Sequence, residues 1–367
     1  MKFHIATLPG DGIGPEIIRE GIKVLKAAET IVTGFEFDFQ HYDAGAGHYL
    51  KTGDVFPTSS YTACKDSHAI FLGSMGIPEV VETDGTEVQG KVILRLRFDL
   101  NLFAGVRPVK LFHGVNTPLV NKEAIDLVIV RENTEGLFAS FGGGSTVSDE
   151  VVAETLVMTR KGIEKIVDFA FQLAKKRQGR VLDGKKVVTC CDKSNVFKSY
   201  AFFRKVYDEV ASRYKEIATD YAYIDAMALW LVQKPQHYDV VVTENLFGDI
   251  LSDLAAALVG GMGMAPSGDI GFDYAMFQPA HGSAPTIAGK NVANPVATIL
   301  SGAMMLDWLG EKYRVEAAKT AARLIERAVE KTIANGIKTI DIGGKTSTSE
   351  FGDAVVKEMQ NSEVYGQ

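Results

Sequence analysis

The chain has 367 residues, of which 46% are hydrophobic and 23% charged; this is ordinary for a globular protein and enough for one large or two medium α/β domains. Its net charge of −7 argues against nucleic acid or an anionic membrane as the main partner, so the positive site for any anionic ligand has to be local. The three cysteines, Cys64, Cys190 and Cys191, form neither a disulfide framework nor a zinc-site spacing. There is no apolar signal-peptide core before Pro9-Gly10-Asp11-Gly12 and no run near 18 apolar residues, so a cytoplasmic protein without membrane contact is expected.

Residues 3–8 read as a short strand, broken by Gly10-Asp11-Gly12-Ile13-Gly14, with Pro15 suited to a first helical position. Ile17, Ile18, Ile22, Leu25 and Ala28 then recur at helical spacing. The turn does not match the dinucleotide fingerprint G-x-G-x-x-G, because Pro15 occupies the last position. Further strands are expected at 69–72, 126–130, 186–189 and 239–243, with helices at 201–214 and 315–334. This alternation predicts α/β architecture with largely parallel pairing. Two Gly-rich stretches punctuate it: residues 141–146 read as a flexible projection, and residues 259–264 as a bend where the chain re-enters another domain.

Arg97 and Arg107 flank residues 99–106, and Arg131 ends the apolar strand at 126–130. A guanidinium there needs an anionic ligand or an ion-pair partner. Two or three converging arginines would hold a di- or tricarboxylate by bidentate bonds; a purely structural role would pair them with Glu132, Asp126 or Asp99. Arg95 reads as solvated. Lys193 follows the strand at 186–190 and is either a base or proton relay, or a surface lysine. Asp225 sits at the end of the run Tyr221-Ala222-Tyr223-Ile224. Asp249 and Asp253, four residues apart, share one face of the helix predicted after 239–243. Three such carboxylates suit Mg²⁺ or Mn²⁺, while capping and solvation explain each one singly. His281-Gly282-Ser283-Ala284-Pro285 would let a backbone approach a nucleotide, although a plain loop explains it equally, and His281 alone reads as a structural hydrogen-bonder.

Together these segments resemble the β-decarboxylating dehydrogenases, the family of 3-isopropylmalate, isocitrate, homoisocitrate, tartrate and D-malate dehydrogenases. The resemblance runs from Leu8-Pro9-Gly10-Asp11-Gly12-Ile13-Gly14-Pro15-Glu16 to Asp341-Ile342-Gly343-Gly344. Its most specific part is Asn245-Leu246-Phe247-Gly248-Asp249-Ile250-Leu251-Ser252-Asp253 with the tail Gly260-Gly261-Met262-Gly263. Arg131-Glu132-Asn133-Thr134-Glu135-Gly136, Asp192-Lys193-Ser194-Asn195 and residues 281–289 add independent matches.

The resemblance implies a two-domain α/β fold with a cleft between the domains, not a Rossmann fold. Residues 1–104 and 259–367 would form the first, cofactor-side domain. Residues 105–258 would form the second, with the dimer interface and an arm near 139–160 that clasps the partner of a homodimer. Asp225, Asp249 and Asp253 would hold the metal, Asp225 coming from the partner together with Lys193, which would help to remove the C2 hydroxyl proton. Arg97, Arg107 and Arg131 would clamp the malate part of the substrate. Ser74, His281, Gly282, Ser283, Ala284, Thr286, Ile287, Asn294 and Asp341 would bind the dinucleotide. Thr286-Ile287 stands where NADP-linked members carry Lys-Tyr and NAD-linked ones Asp-Ile, so NAD is expected.

Two positions depart from the pattern. Phe138 replaces a tyrosine whose hydroxyl protonates the enol carbon in the family. Before Arg97, Ile93 and Leu94 resemble the aliphatic pair of isopropylmalate enzymes, whereas Gly90 replaces their Glu and residues 131–136 resemble the isocitrate, tartrate and homoisocitrate branch. The aliphatic pair favours 3-isopropylmalate, and with it leucine biosynthesis, over tartrate, D-malate, isocitrate and homoisocitrate. A non-catalytic regulatory subunit is the alternative of another class; Phe138 favours it, and the complete set Lys193, Asp225, Asp249 and Asp253 opposes it.

Overall fold

A computed structural model of the protein describes residues 1–120, 124–148 and 150–364. In chain order the strands are β1 (Lys2–Gly10), β2 (Glu36–His41), β3 (Ala69–Ser74), β4 (Ala104–Lys110), β5 (Asp126–Glu132), β6 (Ser145–Val147), β7 (Val151–Ala153), β8 (Val187–Asp192), β9 (Ala218–Tyr223), β10 (Val240–Thr243), β11 (Pro266–Ile270) and β12 (Ala275–Pro279). The helices are α1 (Gly14–Ile31), α2 (Ala46–Thr52), α3 (Thr58–Asp66), α4 (Gly90–Asp99), α5 (Arg160–Lys176), α6 (Lys198–Ala211), α7 (Ile224–Gln233), α8 (Asn245–Leu258), α9 (Val296–Lys312), α10 (Glu316–Ala334) and α11 (Thr348–Val364).

Ten strands form one sheet in the order β2-β1-β3-β12-β11-β4-β5-β10-β8-β9. Pairing is parallel over both flanks, as the alternation of strands and helices predicts. The centre differs: β12, β11, β4 and β5 run antiparallel to their neighbours there. Of the flanking strands, β3, β8 and β10 are buried along their whole length, as strands covered on both faces should be, whereas the edge strands β2 (Glu-Phe-Asp-Phe-Gln-His) and β9 (Ala-Thr-Asp-Tyr-Ala-Tyr) are polar and largely exposed. The central ones, Ala-Gly-Val-Arg-Pro-Val-Lys and Pro-Ser-Gly-Asp-Ile, carry glycine, proline and charge, so composition does not announce them as strands. The Gly-rich projection is a short exposed hairpin of β6 and β7.

Several hydrophobic cores flank the sheet. The largest packs α1, α9, α10 and α11 against β1, β3 and β12, and draws its buried side chains from residues 3–71 and 264–359, apart from Phe112. A second packs α5 and α6 against β4, β5, β8 and β10; its buried side chains come from residues 103–242, and Ile270 and Met304 pack against it. A third lies under α7 and α8, and a fourth seats α4 against β1 and β3. Amphipathic helices drive this: in α5, for example, Ile163, Ile166, Val167, Ala170, Phe171 and Ala174 form one buried stripe.

The turn after β1 is fixed by backbone contacts. The Asp11 carboxylate accepts from the amides of Ala46, Gly47 and Gly76 at 2.9, 2.7 and 2.8 Å. The Ile13 amide donates to the Ser283 carbonyl at 2.8 Å, which brings the loop at 281–284 onto the start of α1. Gly12 has φ +57°, and a Cβ there would lie 2.0 Å from the Ser283 carbonyl oxygen. Gly53 also has positive φ (+77°), with nothing within 4 Å of a Cβ. Gly12→Ala should therefore cost about 2–4 kcal/mol in a denaturant unfolding curve and Gly53→Ala only about 1. Equal losses would show that the contact with Ser283 carries no weight.

Candidate active site

Three arginines expected to act together come from three elements. Arg97 lies in the last turn of α4, Arg107 in the middle of β4 and Arg131 near the end of β5. All three are buried. None uses the partners Glu132, Asp126 or Asp99; Asp126 instead pairs with Arg177 at 2.8 Å, and Asp99 with Arg95 at 3.4 Å. Arg95, expected to be merely solvated, also lies over the Tyr61 ring, 4.2 Å from its centroid.

The counter-ion of Arg97 and Arg107 is Asp269 on β11, wholly buried. Arg97 Nε donates to its Oδ2 at 3.0 Å, and Arg107 stands 3.6 Å from Oδ1. Asn133 and Gln278 complete the shell, donating from their side-chain amides at 2.9 and 3.1 Å. Strand register explains the meeting. Gly105 pairs with Asp269 on one side and Arg131 on the other, and its missing side chain leaves room for Asn133 to cross; a Cβ on Gly105 would lie 2.7 Å from the Asn133 amide oxygen. Arg107 Nε, buried, has no hydrogen-bond partner among the described residues. Burial lowers the proton affinity of Arg107, opposed chiefly by Asp269. That is a desolvated guanidinium with donor capacity left, the condition in which it binds a carboxylate strongly.

The helix α8 supplies the acids. Glu244 caps it, accepting from the amides of Leu246 and Phe247, and this sets Asp249 and Asp253 one turn apart on one face. Arg131 reaches them from β5: its Nε donates to Asn245 Oδ1 at 2.9 Å and its Nη1 bonds Asp249. The Phe138 ring lies against the same guanidinium, 5.0 Å from centroid to Cζ. Burial raises the Asp253 carboxyl, and neighbouring Asp249 raises it further, against the opposing Arg107 and Arg131. Two like charges so placed, offering only oxygen, fit a hard divalent cation.

No third carboxylate joins them: no group of three or more His, Cys, Asp or Glu positioned for a metal occurs among the described residues. Asp225 lies elsewhere, in the first turn of α7, bonded to Lys193 from the loop after β8. Its hydrogen bond to Lys193 holds the carboxyl below the ordinary aspartate value.

Among residues expected to hold the dinucleotide, Ser283 is buried and donates to the Gly76 carbonyl, while Ser74 donates to that of Asp11 at 3.1 Å. Thr286 and Gly282 are exposed, and Ala284 and Ile287 are half-buried beside Ile13 and Ile17. Asn294 donates to Asp341 at 2.9 Å, tying the turn Ile340–Ile342 to this loop. His281 Nδ1 bonds the Gly282 carbonyl at 2.8 Å, and Nε2 is buried without a hydrogen-bond partner among the described residues. Burial depresses the imidazole pKa, so the neutral ring leaves Nε2 as an acceptor, which fits a nucleotide donor group. Ile93 is half-buried and Leu94 buried on α4, one turn or less before Arg97. The residues not anticipated are Asp269, Asn245 and Gln278. Two buried guanidiniums demand a counter-ion, but nothing local in the sequence says which acid provides it.

A model of the isocitrate/isopropylmalate dehydrogenase family matches residues 4–355, and the chain belongs to that family. It is a decarboxylating dehydrogenase acting on the CH–OH group of its donor. It is 42% identical over 357 residues to the 3-isopropylmalate/3-methylmalate dehydrogenase of Methanocaldococcus jannaschii, covering 97% of this chain and 98% of the relative. It is 36% identical over 364 residues to a probable tartrate dehydrogenase/decarboxylase of Bacillus subtilis, covering 98% of each. Among solved structures, isocitrate dehydrogenase from Methylococcus capsulatus superposes with a TM-score of 0.84 at 37% identity, covering 98% of this chain and 99% of that one.

Asp269 should be the pivot of the arginine site. Burial pushes its carboxyl up, but Arg97 and Arg107, with Asn133, outweigh burial and hold it below the usual range. A depressed folded pKa contributes stability that is complete above the unfolded value of about 4 and is lost as pH falls through the folded one. Asp269→Asn should cost about 3–5 kcal/mol near neutral pH, because two buried cations lose their anion, and should flatten the acid limb of the stability curve. An unchanged acid limb would remove Asp269 from this role.

Proposed function

We propose that the protein catalyses NAD-dependent oxidative decarboxylation of 3-isopropylmalate with Mg²⁺ or Mn²⁺. The observation that carries this reading is three buried arginines converging beside a carboxylate pair on one helix face, with an aliphatic pair, Ile93-Leu94, just before Arg97. In this reading Arg97, Arg107 and Arg131 bind the two carboxylates of the malate part and fix the orientation of C2 and C3. Ile93 and Leu94 meet the alkyl side group, which offers them no charge to pair.

Asp249 and Asp253, with Asp225 of the partner subunit, would hold the divalent ion, which would supply a Lewis acid beside the C2 oxygen, and the dinucleotide would supply the hydride acceptor. Lys193 and Asp225 of the partner subunit, bonded to each other, would together take up the C2 hydroxyl proton, the carboxylate being the member of the pair with a lone pair to receive it. The converging guanidiniums hold the keto acid in place until CO₂ leaves from the β-carboxylate. His281, Ser283, Asn294 and Asp341 form the dinucleotide side. With Thr286 at the position that distinguishes NAD from NADP, and no lysine or arginine cluster in its place, NAD is preferred.

The homodimer has its own support. Val196 and Phe197 beyond Lys193, Leu229 and Val232 beyond Asp225, and Ile250 between Asp249 and Asp253 are all exposed apolar residues. Exposed apolar side chains grouped around a polar site mark an interface. The two-domain division at about 104 and 259 is supported by the cores, which draw on the two sets of residues almost separately.

NADH formation with Mn²⁺ should be seen with 3-isopropylmalate and reduced at least tenfold with isocitrate, tartrate and D-malate; faster turnover of isocitrate would overturn the substrate. Asp249→Asn should lower kcat by a factor on the order of 10² or more. Phe138 cannot donate a proton, so solvent has to protonate the enol. Phe138→Tyr should speed formation of the final keto product relative to NADH, and an unchanged ratio of keto product to NADH early in single turnovers would rule out that account.

A further inference from the structure

The strands that carry the arginines have a second face. Along β4, β5 and β11 successive side chains alternate, so Arg107, Arg131 and Asp269 point one way while Val106, Val128 and Ile270 point the other. Those reverse-facing residues form the floor of a separate cleft of about 750 Å³. Its walls come from α5 on one side and from α9 and α10 on the other, with Phe103, Phe169, Phe272, Met304 and Trp308 as the large apolar surfaces. The mouth is strapped by an ion pair between Lys176 on α5 and Glu311 on α9.

The charges in this cleft are unequal in one respect. Every cation lining it is engaged: Lys110 with Glu330, Lys176 with Glu311, Arg177 with Asp126 and Asp239, Lys312 with the Asp273 carbonyl, and Arg323 with Glu316. Two of its acids are not. Asp307 on α9 and Glu326 on α10 have no hydrogen bond or ion pair among the described residues, and both line the cleft. Solvent reaches both side chains. Burial within the cleft nonetheless raises Asp307, with Glu311 adding to it and Lys319, Lys176 and Arg323 opposing. Burial raises Glu326 too, where Lys110 and Arg323 oppose and Asp307 and Asp126 add.

An anion entering here would meet two carboxylates that have no hydrogen bond or ion pair among the described residues, while the nearby cations Lys110, Lys176 and Arg323 are already engaged with other acids. A neutral apolar molecule would cover the aromatic walls while desolvating both acids without a partner. A cation with an apolar body satisfies both surfaces, its charge against the acids and its body against the rings. We infer that the cleft on the reverse face of β4, β5 and β11 binds a small organic ammonium ion, held by Asp307 and Glu326 and packed on Phe169, Met304 and Trp308. This site is independent of the dehydrogenase chemistry and shares no residue with it.

The test uses the full-length protein and 2-phenylethylammonium as probe, with isothermal titration calorimetry as readout. Saturable binding is expected, and 2-phenylethanol, which has the same ring and no charge, should bind at least about tenfold more weakly. Asp307→Asn and Glu326→Gln should each weaken the ammonium severalfold and leave the alcohol unchanged. Neither acid has a folding partner to lose, so both variants should fold. Met304→Trp, which fills the cleft and keeps both acids, should weaken both probes. Equal affinity for the amine and the alcohol would overturn the proposal. So would amine binding that survives all three variants but is lost in Asp249→Asn, since that would place it at the acids of α8.

Discussion

The arrangement depends on one buried carboxylate. Asp269 sits with no exposed surface in the centre of the sheet, and two guanidiniums, a side-chain amide from β5's end and one from β12 close around it. An isolated buried anion would be prohibitively costly, and so would two isolated buried cations. Each is tolerable only because the other is present. That mutual requirement fixes how far β11 can move relative to α4 and β4. It also brings Arg97 and Arg107 together and leaves Arg107 Nε without a partner among the described residues, available to a second anion.

The antiparallel centre of the sheet is the other half of this constraint. Parallel strands on either flank are joined by helices that cover both faces. Where β4, β5, β11 and β12 run against one another, residues directly opposite share a face, and the register Asp269–Gly105–Arg131 crosses three strands of very different sequence position. Gly105 is the narrow point of that row, and through it the Asn133 amide reaches across from the end of β5.

Much of this was legible in the sequence, and the rest was not, for identifiable reasons. Apolar runs announced β1, β3, β5, β8 and β10, because a buried parallel strand has almost nothing but Val, Ile and Leu to show. The i, i+4 spacing of Asp249 and Asp253 gave their common helix face, and Arg97, Arg107 and Arg131 stood out as charges in apolar surroundings. Strands β4 and β11 were hidden: their glycine, proline, arginine and aspartate are there for ion pairing and close approach, and those needs override strand propensity. Strand β12, Ala-Met-Phe-Gln-Pro, is too short and mixed to read as an apolar run. The arginines' partner was hidden for a related reason. Asp269 lies 172 positions from Arg97, and charge balance demands an acid without naming it. Lys193 and Asp225 were placed beside one another, away from the α8 acids, which no spacing along one chain can show.

Strand pleating assigns neighbouring residues of β4, β5 and β11 to two unrelated compartments, polar and arginine-lined in front, aromatic behind. A loop can absorb an added or deleted residue by changing length, whereas here a shift of one position would carry Arg107 or Asp269 through the sheet to the aromatic side and put Val106 or Ile270 in its place. Length variation among relatives should therefore stop abruptly at the ends of these three short strands, even though substitution within them continues on both faces.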